Sequence, residues 1–70
     1  MVEVFKTNVR QRDRAQQLTS TLYHRFPLLK VDFDLEDCDK ILRIEGSHIY
    51  SKLIIELISA NWAECEVLPD

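Results

Sequence analysis

The stretch LKVDFDLEDCDKILRIEG, residues 29–46, contains two alternating runs separated by a short acidic segment. Leu29, Val31, Phe33 and Leu35 alternate with Lys30, Asp32, Asp34 and Glu36, and Leu42 and Ile44 alternate with Arg43 and Glu45. Successive side chains of a strand point to opposite faces, so this period of two predicts a pair of strands, each with one apolar face. Asp37-Cys38-Asp39 joins them as a hairpin, and Gly46 ends the second strand. Upstream, between Asn8 and Phe26-Pro27, the period changes: Ala15, Leu18 and Leu22 recur at three- and four-residue spacing among polar residues. That spacing predicts an amphipathic helix stopped by proline. Asn8 followed by Gln11 has the form of a capping box, in which Asn8 covers free backbone amides of the first turn.

Downstream, Ser47 stands where an N-cap would precede a second helix from His48 to Ala60, with an apolar face of Tyr50, Leu53, Ile54, Leu57 and Ile58. Asn61 is placed as its left-handed C-terminal residue, with Trp62 folding back onto the last turn. At the margins, Val2, Val4 and Lys6 alternate with Glu3, Phe5 and Thr7, and Ala63, Cys65 and Val67 alternate with Glu64, Glu66 and Leu68. These are a first and a last strand, the first with its β-branched residues on one face. The order β-α-β-β-α-β predicts one α+β domain over residues 1–70. It closes as a ferredoxin-like βαββαβ two-layer sandwich with antiparallel sheet order 4-1-3-2. Three loops then share one end of the sheet: Thr7 to Asp13, Leu35 to Lys40, and Asn61 to Ala63.

Composition narrows the function. In 70 residues, 46% are hydrophobic and 30% charged, which suits a single packed core and leaves little surface for an elaborate active site. The net charge of -3 has the wrong sign for electrostatic binding of nucleic acid or anionic membranes. Two cysteines are too few for a disulfide framework, and no apolar run has the length of a membrane span, so a reducing cytoplasm is the expected compartment.

The chain resembles the heavy-metal-associated domain family of copper chaperones and metal-ATPase modules. The resemblance rests on V-E-V-F-K-T-N-V-R-Q at the first strand-to-helix turn, I-L-R-I-E-G closing the third strand, and N-W-A-E-C-E-V leading into the last. In that family the turn is usually M-T-C-x-x-C, and its two thiolates bind Cu(I) or another soft cation. Here the matching segment is Lys6-Thr7-Asn8-Val9-Arg10-Gln11, with amides at both cysteine positions. Soft metals select thiolates, which neither Asn nor Gln supplies. The resemblance therefore implies the fold without the metal chemistry, and no cofactor or metal is expected.

Lys6, Arg10, Arg12 and Arg14 surround the start of the first helix, where free amides and the helix dipole favour an anion. The loop lacks a glycine for close phosphate approach, and solvated charge is the plainer reading. Cys38, at the hairpin turn, is the one thiol expected to be exposed, and a metal-binding role through it, shared across a dimer, is the alternative function. Asp37 and Asp39 beside it disfavour the thiolate. Cys65 alternates with glutamates and is expected to pack inward, while His24 and His48 have no partner at ligand spacing. The open sheet face is expected to carry Glu3, Phe5, Lys30, Asp32, Asp34, Ile41, Arg43, Glu45, Glu64 and Glu66, an acidic surface that repels RNA. On it, Phe5 and Ile41 form a small apolar patch for a protein partner or a second copy. No nucleophile, base and orienting group converge, so the chain reads as a non-catalytic interaction or regulatory module and not an enzyme.

Overall fold

A computed structural model describes residues 1–68. The elements follow in the predicted order: β1 Val2–Thr7, α1 Arg12–Arg25, β2 Lys30–Asp34, β3 Ile41–Glu45, α2 Ser51–Ala60 and β4 Cys65–Val67. The strands form one antiparallel sheet ordered β2-β3-β1-β4, which is 4-1-3-2 read from the other edge. One core cluster joins Phe5, Val31, Leu42 and Ile44 of the sheet to Leu18, Leu22, Ile54 and Ile58 of the helices. Both helices therefore cover the same face, giving two layers within 27 × 27 × 17 Å.

The face that β1 turns inward is not the one expected. Phe5 is fully buried, whereas Val2 is 54% exposed. Register explains this: Phe5 lies opposite Leu42, and Glu3 opposite Ile44. Directly opposed residues of an antiparallel pair share a face, and Leu42 and Ile44 point into the core. Burying a phenylalanine removes more apolar area from water than burying a valine, so Phe5 with Thr7 decides the face and Val2 and Val4 are turned outward. The proposed Phe5–Ile41 patch is thereby overturned, since Ile41 stays on the open face opposite Lys6 and Asp34 while Phe5 is inside.

Glu3, carried inward by the same register, sits beside the start of α2, where Ser51 Oγ donates to its Oε1 at 3.4 Å. That helix has no side-chain cap and no acidic residue in its first turn, so a carboxylate supplied from β1 suits the positive end of its dipole.

Both helices begin later than the sequence pattern implies. The N-cap of α1 is Gln11, with no side-chain cap bond, and that of α2 is Tyr50, not Ser47. Leaving the sheet for the helix layer means crossing about 10 Å at no more than about 3.5 Å per residue, so several residues after Thr7 and Gly46 must be extended. A β-carbon at Gly46 would run into the Leu29 side chain, which gives this glycine a packing role at the crossing. On the neighbouring edge strand, the Tyr23 hydroxyl accepts the Val31 amide of β2 at 3.0 Å, tying α1 to the outer strand.

Candidate functional site

The three loops do meet at one end, and hydrogen bonds join them. The Thr7 amide donates to the carbonyls of Asp39 and Lys40 at 3.2 and 3.1 Å, and Thr7 Oγ1 donates to the Lys40 carbonyl at 2.6 Å. The Val9 amide returns a bond to Thr7 Oγ1 at 3.2 Å. This buried threonine thus fastens the β2–β3 hairpin to the β1–α1 turn. Asn8 fastens the same turn to the approach to β4: the Glu64 amide donates to Asn8 Oδ1 at 2.8 Å, and the Asn8 amide donates to the Glu64 carbonyl at 3.3 Å. Asn8 is therefore a bridge between segments, and the capping box is not formed. The side chain that would have covered α1 amides is engaged 56 residues away.

The C-terminus of α2 closes with two bonds of the Schellman type, Ala63 amide to Ile58 carbonyl at 3.3 Å and Trp62 amide to Ser59 carbonyl at 3.1 Å. Ala63 is buried against the core. The left-handed residue of the motif is Trp62, with φ 66°, whereas Asn61 has φ -103°. Trp62 does not fold back: it is 92% exposed, the position having swung its ring away from the helix. It lines a cavity of about 300 Å³ with Asn8, Arg10, Gln11 and Arg14.

The four cations proposed as one anion site are divided among three surroundings. Arg10 and Arg14 share the cavity of Trp62. Lys6 lies 4.0 Å from Asp39 Oδ1. Arg12 lines a separate cavity beside Asp34 and Glu36. Convergence of all four fails because residues two apart on a helix lie on different faces and Lys6 points to the open side of β1.

Cys38 is exposed at the hairpin, as its place in the turn predicted, and Cys65 is half-buried; both are free thiols. Ligand atoms of Asp37, Cys38 and Asp39 lie within 4.8 Å of one another. The carboxylates are already engaged, since Asp37 Oδ1 accepts the Asp39 amide at 2.9 Å and Asp39 faces Lys6. Burial, with Glu66 adding to it, pushes the Cys65 thiol from its ordinary 9.0 up to about 12. It is a neutral packing group and a poor nucleophile at physiological pH.

Sequence reasoning missed a second surface at the opposite end, where the α1–β2 and β3–α2 connections meet. Leu28 is 95% exposed, Tyr50 57% and Leu53 41%. The doublet Leu28-Leu29 after Pro27 carried the signal, since the chain reverses there in a turn closed by the Leu29 amide on the Phe26 carbonyl, and its outer residue is left in solvent. Among the described residues, no helix is long and apolar enough to cross a membrane. Comparison of the chain with protein-family models, with curated proteins and with solved structures gives no match.

Proposed function

We propose that the chain is a non-catalytic interaction module, ferredoxin-like in fold and of the heavy-metal-associated type without its dithiol, that holds an acidic protein segment at the Trp62 end. The observation that carries this reading is Trp62 itself. A non-glycine residue in the left-handed region costs roughly 1–2 kcal/mol, and the exposed ring recovers none of that by burial. Tryptophan and arginine are the residues most enriched among those that dominate binding energy, and here Arg10 and Arg14 line the same cavity as the indole. Their charge, on a chain of net -3, selects a partner segment that is locally acidic.

The test is co-purification with tagged protein from the cells that make it, comparing the parent with Trp62→Gly and with Arg10→Glu/Arg14→Glu. Specific partners should be lost from both variants while Trp62→Gly melts at a higher temperature than the parent. An unchanged set of partners would overturn the reading.

A second reading, metal handling through Cys38, draws on the Asp37-Cys38-Asp39 cluster. Competition against a chromophoric Cu(I) chelator separates the two: tight binding by the parent, abolished in Cys38→Ser, would establish metal handling. Absence of binding by the parent, with measurable binding by Asn8→Cys/Gln11→Cys, favours the module whose dithiol positions are amides.

A further inference from the structure

We propose that the apolar groove at the end opposite Trp62 is a two-fold interface for a second copy of this chain. It is independent of the role given to Trp62, which lines neither of the groove's two cavities.

The groove follows from how the two connections are built. Pro27 forces the chain off α1, after which Leu29 enters the core and Leu28 is left 95% exposed. Facing it, α2 buries Ile54 and Ile58 completely but leaves Tyr50 and Leu53 exposed along the same flank. Between these lie two neighbouring cavities of about 320 and 230 Å³ that both border Arg25 and Phe26. Three large apolar side chains, all at one place, are left in water by a chain that needs its apolar surface buried.

The shape and charge of the groove match a copy of itself. Leu28 stands out beside the hollow it lines, and a two-fold contact requires such a projection and its receptacle on the same patch. Arg25 and Glu56 line the neighbouring cavity along α2. Among the described residues the one ion pair is Lys6 with Asp39, so neither Arg25 nor Glu56 has a charged partner among them. Across a two-fold axis through the groove, Arg25 meets the partner's Glu56 and Glu56 meets the partner's Arg25, giving two ion pairs in which each charge is satisfied once. A partner of a single charge sign would leave one of them opposed.

The size of the patch sets the strength. At about 200 Å² for each full side chain, the three exposed residues offer about 400 Å², roughly half of the 800 Å² per partner of a standard interface. A patch of that size belongs with weak, transient contacts, so dimer is expected at about 1 mM and monomer at about 1 µM.

Sedimentation velocity across that range tests it. The parent should move from monomer to dimer with increasing concentration, and Leu28→Ser should remain monomeric with an unchanged melting temperature in dilute solution. Arg25→Glu and Glu56→Arg should each weaken association by about tenfold or more. An equal mixture of those two variants should regain parental association, because the heterodimer restores both ion pairs. A parent that stays monomeric at about 1 mM, or a mixture that associates no better than either variant alone, would overturn the proposal.

Discussion

The two ends of the sandwich join their connecting segments in different ways. At the Trp62 end, Thr7 and Asn8 close three segments with hydrogen bonds that span 33 and 56 residues of chain. At the opposite end, the Tyr23–Val31 and Ser51–Glu3 hydrogen bonds tie helices to strands, but the α1–β2 and β3–α2 connections meet through apolar contact that stops short, leaving Leu28 and Tyr50 outside. A directional bond is complete once its partner is reached, while apolar burial continues as long as surface remains. The first end is therefore finished within one chain, apart from an indole placed outward, and the second is not.

Substitutions break this contrast in a graded way. The largest effect is expected from Phe5→Ala, which removes a fully buried ring beneath both ends and should cost about 3–5 kcal/mol, on the scale of the whole stability of a domain this size. Urea denaturation should find it largely unfolded; a stably folded Phe5→Lys would show that β1 presents the other face. Next comes Thr7→Val, which keeps shape but leaves the buried Val9 amide without its acceptor and removes one of the two donors to the Lys40 carbonyl, whose bond from the backbone amide of residue 7 remains. A loss of about 2 kcal/mol is expected, and a loss below about 0.5 kcal/mol would mean that this end does not depend on its threonine.

Smaller and opposite changes separate bridge from cap. Asn8→Ala and Asn8→Ser should both cost about 1 kcal/mol, because serine is too short to reach the Glu64 amide; a neutral serine variant would restore the capping interpretation. Trp62→Gly should raise stability by about 1 kcal/mol, read as a higher melting temperature, since glycine adopts the left-handed conformation freely.

The smallest effect at neutral pH belongs to Cys65. Its folded-state pKa is raised from 9.0 to about 12, chiefly by burial. The folded state keeps its proton where the unfolded chain has lost it, so stability is fully present below pH 9 and declines as pH rises from 9 towards 12. Cys65→Ala should lack this alkaline component when pH titrations of the two proteins are subtracted, and identical curves would show the thiol to be in a water-like setting.

The element order could be read from the sequence because the period changes cleanly at Asn8, Leu29 and Gly46. The parity of β1 could not, because Val2, Val4 and Phe5 leave both faces plausible until Phe5 is set opposite Leu42 across the sheet. Asn8 illustrates a similar gap: the same amide suits a cap three residues away or a bridge to Glu64, and only the fold brings Glu64 near. Trp62 was displaced by a single position, since the left-handed residue is fixed by where α2 runs out of hydrogen-bond partners and not by residue preference. Cys38 and Cys65 were legible because strand alternation and a turn determine exposure directly.

The hydroxyl of Tyr23 on the Val31 amide has a consequence for assembly. A bare outer strand is a template onto which further chains can add indefinitely, each one exposing a fresh edge for the next. With Val31 already engaged, and with Lys30, Asp32 and Asp34 pointing outward along the five-residue β2, that growth is interrupted at its first rung. The other edge strand, β4, is three residues long and offers little to template upon, and the proposed two-fold contact on the helix layer would use itself up when the second copy arrives.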